Sequence, residues 1–306
     1  MKRILLPIIF VVLLALVGVT NYLVLEDLTD ISTRTTPLPT SPTTVNDLSN
    51  RPLVRIGVVS RFAPNVTYAG YQPIMDYLNH EGTRRYELQL STSYQDAVNR
   101  LREGKVDASF LGAWIFGHLE SAKDLLSIAA PLNENGHSEF HAVLVTREAS
   151  DLTSLSQLAG LKVALPSPQS WSGNWLQTNG LADAGLSVAD LDSIHHFDHH
   201  QTVVWQILRG NFDAGVVKES VAAEYRSEGL RTVTVSQAIP GPPLVGRRGV
   251  DPDILVEISS LLLALDPDLP ADRRVLESWT HEFSFGFTAV DRRHYHDAFQ
   301  PEGANR

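Results

Sequence analysis

From residue 53 onward, short apolar runs alternate with amphipathic segments, and this alternation constrains the fold more than any other feature of the chain. The run LVRIGVV (53–59) has the pattern of a buried strand, and a helical segment at 71–82 follows it. The alternating YELQLS (86–91), the helical YQDAVNRLREGKV (94–106) and the strand-like DASFLG (107–112) continue the series. Strands that alternate with helices predict a mostly parallel α/β sheet covered on both faces.

A second series of strands and helices starts at about residue 140. Its predicted elements are the strands 140–146, 161–165, 191–197, 212–217 and 231–236, with helices from about 172 and over 202–210. A further helix at 250–266 has Asp251 as its N-cap and Pro252 in its first turn, and 284–290 is a candidate closing strand.

The two series predict two α/β lobes, with the second inserted into the first. Lobe 1 would comprise residues 51–143 together with 240–306, and lobe 2 residues 144–239. The joins would fall near 143–148 and 236–245, and the second of these segments is rich in Pro and Gly.

The N-terminus predicts a membrane segment ahead of these lobes. Residues 4–25 contain no charged side chain, and this run is long enough to span a bilayer as a helix. The preceding Lys2 and Arg3 favour a cytoplasmic N-terminus. We therefore expect a transmembrane anchor or an uncleaved signal over 1–26, followed by a flexible Thr/Ser/Pro-rich linker over 27–50. A cleaved secretory signal is the alternative. Both interpretations place the globular part outside the cytoplasm, in the periplasm or beyond, and the anchor would make the chain a single-pass inner-membrane protein.

Composition excludes several classes of function. The net charge of −10 without a basic tract argues against a nucleic-acid partner, and the absence of cysteine removes disulfides, thiol catalysis and cysteine zinc sites. The G-x-S-x-G, G-x-x-x-x-G-K-[ST] and post-strand G-x-G-x-x-G patterns are also missing. The sequence therefore does not favour an enzyme and predicts no cofactor.

The turn SWSG (170–173) joins a predicted strand to a predicted helix and is the first candidate site. Ser170 and Ser172 could cap the helix, which is the common role of serine at such a position. Alternatively, the free N–H groups of the helix start, the two hydroxyls and the close backbone approach that Gly173 permits could hold an anion. The local sequence leaves both interpretations open.

The segment HHFDHH (195–200) is the second candidate. Four histidines and an aspartate suggest a transition-metal site, but alternate side chains of a strand point to opposite faces, so few of them could converge. We predict no metal, and expect His200 to donate to an anion from the start of the next helix. Trp114, Phe116, Trp171 and Trp175 are either core residues or ligand-facing aromatics.

Several segments, taken together, resemble the phosphate/phosphite/phosphonate-binding receptors of bacterial ABC importers, which are periplasmic type II solute-binding proteins. They include YQPIMDYLN, YQDAVNRLREGKVDASFLGAWIF, SPQSWSGNWLQTNGL, HHQTVVWQILRGNFDAGVV, IPGPPLVGRRGVDPDILVEISSLLLALD and GFTAVDRRHY, spread over most of residues 53–298. The resemblance implies two hinged lobes that close on one small ligand. It also implies ligand-binding roles for Ser170, Ser172, Gly173 and His200.

The chain departs from the family pattern at several of the implied ligand positions. Trp171 stands where members often have threonine, and Phe116 where tyrosine is common; neighbouring Trp114 is a further candidate wall residue. Gln201 and Lys218 stand where some members place the acidic residues that hold an aminoalkyl group. Because Lys218 would repel an ammonium, an aminophosphonate ligand is disfavoured.

The resemblance implies capture of a small oxyanion for an ABC importer, with a membrane permease as the partner protein. The alternative is a ligand-sensing domain that reports occupancy to a membrane kinase or cyclase. A metal-dependent hydrolase that uses the histidine cluster is a distant third interpretation.

Overall fold

The computed structural model describes residues 48–119 and 124–299. The predicted anchor (1–26), the linker up to residue 47 and the last part of predicted lobe 1 (300–306) lie outside the described residues. Within the part that is described, no helix has both the length and the apolar character needed to cross a membrane.

The described residues contain strands of two to seven residues. In chain order they are β1 Leu53–Val58, β2 Arg85–Leu90, β3 Ala108–Phe110, β4 Leu125–Pro131, β5 Glu139–Phe140, β6 Ala142–Arg147, β7 Lys162–Leu165, β8 Ser193–His196, β9 Ala214–Lys218, β10 Leu230–Val235, β11 Ile239–Pro240, β12 Leu244–Arg247 and β13 Phe287–Thr288.

Helices connect and cover these strands. In chain order they are α1 Pro64–Glu81, α2 Tyr94–Arg102, α3 Ala113–Gly117, α4 Trp171–Trp175, α5 Leu181–Asp183, α6 His200–Leu208, α7 Glu219–Glu224, α8 Pro252–Leu263, α9 Pro270–Glu277 and α10 Arg292–Ala298. A π-helical turn, Leu176–Gly180, joins α4 to α5.

Two mixed sheets form the framework. The first has the strand order β13-β4-β12-β3-β1-β2 and the second β10-β6-β9-β7-β8. The parallel pairs of the first sheet are β1 with β2 and β1 with β3. Those of the second sheet are β7 with β8 and β7 with β9. The prediction of mostly parallel sheets is therefore wrong, because β12 enters the first sheet, and β6 the second, antiparallel to both of their neighbours.

The chain crosses between the two sheets twice. It leaves the first sheet after β4 and returns to it at β12, so the strands of the second sheet lie between these points in the sequence. At the crossing the two connections pair with each other as the short antiparallel ladder of β5 and β11. The described fold thus has two lobes, the first built from both ends of the described chain; the predicted lobe boundaries stay a prediction.

Local signals in the sequence account for several helix ends. The Asp251 side chain accepts from the Asp253 N–H and Pro252 opens α8, as the sequence predicted. The helix predicted to start at residue 71 begins instead at Pro64, whose missing N–H costs nothing in a first turn. The sequence interpretation did not identify β4, β12, α9 or α10.

Candidate anion-binding site

A small cavity lies between the two lobes where the loop after β1 and the start of α4 approach each other. Its volume is about 30 Å³, compared with the roughly 10–15 Å³ that one water molecule requires. The side chains and backbone that line this inner cavity come from both lobes: Arg61, Tyr94, Gly112, Ala113, Trp114, Phe140, Ser170, Trp171, Ser172, His200, Lys218 and Pro242.

Arg61 provides a buried positive charge at this cavity. Its guanidinium donates to both carboxylate oxygens of Glu282, over 2.8 and 3.0 Å, and to the hydroxyl of Tyr71. Burial disfavours the charged form, but Glu282 more than offsets this and the pKa of Arg61 is raised. The buried Nε of Arg61 has no hydrogen-bond partner among the described residues. A buried donor of this kind is costly unless something accepts from it.

Lys218, the last residue of β9, provides a second cation from the other lobe. Its Nζ lies 2.9 Å from Glu282 Oε1, and it lies over the Phe140 ring at 4.9 Å. Burial lowers the pKa of Lys218, while burial of Glu282 is outweighed by Arg61 and Lys218, which hold the pKa of this carboxyl at about 2. These three residues, the Glu282 cluster, therefore carry two positive charges and one negative charge, a net +1.

Ser170 is the N-cap of α4. Its hydroxyl accepts from the Gly173 N–H over 3.1 Å and donates to the Ser167 carbonyl over 2.8 Å. The turn therefore uses the Gly173 N–H and the Ser170 proton itself, and Gly173 does not line the cavity. A Cβ on Gly173 would meet the Ser167 carbonyl oxygen at 2.0 Å, so the glycine is required by the packing of this turn.

Ser172 differs from Ser170 in having a hydroxyl that is not used by the protein. The residue is buried and lines the inner cavity, and its Oγ has no hydrogen-bond partner within the described part of the chain. Helix geometry also leaves the N–H groups of Trp171 and Ser172 without intrahelical acceptors. Of the two serines, Ser172 is the available donor and Ser170 holds the turn.

His200 is fully buried at the start of α6 and contributes to the same cavity. Its backbone N–H donates to the Arg61 carbonyl over 3.3 Å, and its Nδ1 accepts from the Lys218 N–H over 3.4 Å. Burial, reinforced by Arg61 and Lys218, lowers the pKa of His200 to about 3. The ring is therefore neutral at pH 7 and carries its hydrogen on Nε2.

The aromatic candidates lie in different surroundings. Trp114 and Trp171 form one wall of the inner cavity, with ring centroids 5.4 Å apart, and the Trp171 indole donates to Ser236 Oγ over 3.3 Å. Phe116 packs edge-on against Tyr295 in the core and does not line the cavity. Trp175, the other open aromatic candidate, is also a core residue.

Gln201 lies outside the inner cavity. It lines a larger space of about 460 Å³ between α1 and α7. A third space, of about 370 Å³, shares Phe140, Lys218 and Pro242 with the inner cavity. We call these two spaces the outer cavities, and Glu282 lines both of them.

The four histidines of the HHFDHH segment do not converge. His195 packs on Phe197 at 4.5 Å, whereas His196 Nδ1 contacts the Pro166 carbonyl at 2.7 Å. His199 precedes α6 as its N-cap residue, and His200 faces the inner cavity. Among residues 48–119 and 124–299, no three His, Cys, Asp or Glu side chains are arranged to hold a metal ion.

Sequence reasoning missed Arg61, Tyr94 and Glu282. Burial raises the pKa of Tyr94 to about 12, so its hydroxyl stays neutral. Arg61 and Glu282 are 221 residues apart, and no pattern in the sequence indicates that they pair. The available signal was the isolated arginine directly after an apolar strand, in SRFAP (60–64).

Two mixed α/β lobes that close over a small buried cavity define the class of two-lobe periplasmic binding proteins. Solved structures support this fold. The binding protein component of an ABC phosphonate transporter from Pseudomonas aeruginosa aligns with a TM-score of 0.70 and 16% identity, over 80% of this chain and 84% of that one. PhnD1 from Prochlorococcus marinus, in complex with methylphosphonate, aligns with a TM-score of 0.67 and 17% identity, over 80% and 95%.

Sequence comparison specifies the family within this class. Residues 56–295 match the family described as ABC transporter, phosphonate, periplasmic substrate-binding protein, and the chain belongs to that family. It is also 23% identical to the phosphate-import protein PhnD of Mycolicibacterium smegmatis over 210 residues, which cover 63% of this chain and 65% of that relative. The family is a substrate-binding component of transporters and not an enzyme, as the sequence predicted.

Proposed function

We propose that this protein captures a small tetrahedral oxyanion, such as phosphate, phosphite or a phosphonate, and delivers it to the permease of an ABC importer. The observation that carries the proposal is the inner cavity, which Arg61 and Ser172 both line, the first with a buried, unpartnered Nε and the second with a free hydroxyl. Family membership and the resemblance to a methylphosphonate-binding protein support it.

In this mechanism, recognition depends on donors that are already in position. Arg61 and Lys218 supply positive charge, and Ser172, His200 and the helix start of α4 supply neutral donors. When the lobes close, the anion replaces the water on these groups. A ligand without the matching oxygens would leave buried donors unpaired, which makes the site selective.

Calorimetry of the purified chain against phosphate, phosphite, methylphosphonate, sulfate and small carboxylates tests the proposal. We expect micromolar or tighter binding of at least one tetrahedral oxyanion, because several charged and neutral donors face one closed space. If none of these anions produced binding heat, the proposed function would be wrong.

We also propose that residues 4–25 tether the protein to the inner membrane with its lobes outside the cytoplasm. The uncharged run and the preceding Lys2 and Arg3 support this. Membrane fractionation of cells that express the full chain or a chain lacking residues 4–25 tests the tether.

Loss of oxyanion uptake on gene deletion supports the importer, whereas intact uptake with loss of an oxyanion-triggered response would favour the sensor alternative.

A further inference from the structure

Glu282 is placed to set the charge of the inner cavity without reaching into it. It lines both outer cavities but not the inner one. Its carboxylate bonds Arg61 from its own lobe through both oxygens and Lys218 from the other lobe through Oε1. The two cations therefore separate the negative charge of Glu282 from the space where an anion would lie.

Arg61 and Lys218 are the charged side chains that line the inner cavity, and Glu282 cancels one of their two charges. His200 is neutral at pH 7 because of its lowered pKa. Glu219, beside Lys218, is also negative, but it lines an outer cavity and not the inner one. The positive charge that remains for a ligand is thus at most a single one.

We propose that Glu282 is a specificity-determining residue that makes the inner cavity select tetrahedral oxyanions with one negative charge over those with two. The inference rests on the proposed function and narrows its ligand class. A second negative charge on the ligand would be taken out of water without a counter-charge, which is unfavourable in a buried site. The same charge would also be repelled by Glu282.

Methanesulfonate and sulfate provide a test because both are tetrahedral and, at neutral pH, carry one and two negative charges. Calorimetry of the full chain with each anion gives a ratio of dissociation constants, and methylphosphonate serves as the reference ligand. We expect wild type to bind methanesulfonate more tightly than sulfate. In Glu282→Gln, which retains the shape of the side chain without its charge, we expect the ratio to move toward sulfate by about tenfold or more.

Glu257→Gln is the matched control. Glu257 is also a largely buried glutamate paired with an arginine, Arg84, but it does not line the inner cavity. Its loss should leave the ratio unchanged.

The outcomes separate this inference from the proposed function. If wild type bound none of the three anions, the function itself would be wrong. If wild type bound methylphosphonate but rejected methanesulfonate, or preferred sulfate, or if Glu282→Gln left the ratio unchanged, the inference alone would be overturned. Should Glu282→Gln fail to fold, Lys218→Gln carries the test: with one cation fewer, sulfate should lose more affinity than methanesulfonate, and an equal loss would contradict the inference.

Discussion

In each of two clusters, a glutamate of the first lobe is paired with an arginine of the same lobe. In the Glu257 cluster, Glu257 accepts from Arg84, from the N–H and hydroxyl of Thr83, and from the Tyr86 hydroxyl. The pKa of Glu257 is lowered to about 2 by Thr83, Tyr86 and Arg84, which outweigh its burial. The pKa of Glu282 is lowered to about the same value.

The two clusters differ in their positive charge and in the unused hydrogen-bond donors of their arginines. The Glu282 cluster has a second cation, and its Arg61 lines a cavity and has an unpartnered Nε, whereas the Arg84 side chain has no such unpartnered atom in the described part of the chain. A strongly shifted carboxyl pKa therefore does not by itself identify a binding site in this protein. In this protein a binding site is indicated instead by excess positive charge and by an unused buried donor on a residue that lines a cavity.

The largest expected effect concerns the two arginines. Arg61→Met should weaken oxyanion binding by on the order of 3–5 kcal/mol, because it removes a buried charged donor and leaves Glu282 with Lys218 as its remaining cation. Arg84→Met should lower the free energy of unfolding but leave the affinity unchanged. Calorimetry and urea unfolding of both variants measure the two quantities, and equal losses of affinity would eliminate the distinction between the clusters.

The free energy of unfolding should depend on pH through His200, which lines the inner cavity together with Arg61 and Lys218 of the Glu282 cluster. Its pKa is lowered from 6.5 to about 3 in the folded protein, so the unfolded chain binds this proton at higher pH than the folded one does. Between these values the free energy of unfolding should fall as the pH falls, by on the order of 5 kcal/mol for this residue. His200→Asn should remove this contribution.

The two glutamates should act in a lower pH range. Each has a folded pKa of about 2 against an ordinary 4.5, so the stability that each contributes is lost as the pH falls from about 4.5 toward 2. Urea unfolding at a series of pH values measures both ranges. If the slope between pH 6.5 and 4.5 were the same in wild type and His200→Asn, the burial of a neutral His200 would be contradicted.

The smallest effects distinguish the two serines of the α4 turn. Ser172→Ala should weaken oxyanion binding by about 1–3 kcal/mol with little change in stability, because its hydroxyl is free in the cavity. Ser170→Ala should cost about 1 kcal/mol of unfolding free energy, because it removes the helix cap. Calorimetry and thermal unfolding of the pair test this division, and the reverse pattern would show that the roles are exchanged.

The sequence predicted the parts of the site that depend on local structure. SWSG and the start of α6 follow strands, and their serines and histidine reach the cavity because helix starts place them there. Whether these residues bind the ligand stays a prediction. Arg61 and Glu282 were not predicted, because an ion pair across 221 residues depends on how the sheet assembles and leaves no periodic signal.

The dependence on contacts between distant residues also explains which parts of the fold could not be predicted. The local cap of Asp251 on α8 was predicted, since capping involves residues two positions apart. The antiparallel entry of β12 was not, because LVGR follows the Pro/Gly-rich return to the first lobe and was interpreted as part of the hinge. The direction of a strand is set by its neighbours in the sheet, which its own residues do not encode.

A crystal structure of the protein with methylphosphonate tests the central claim most directly. We predict that the phosphonate oxygens lie within hydrogen-bonding distance of Arg61 Nε and Ser172 Oγ, with the Glu282 cluster intact behind them. A methylphosphonate bound in an outer cavity, with Arg61 Nε still unpartnered, would contradict the claim.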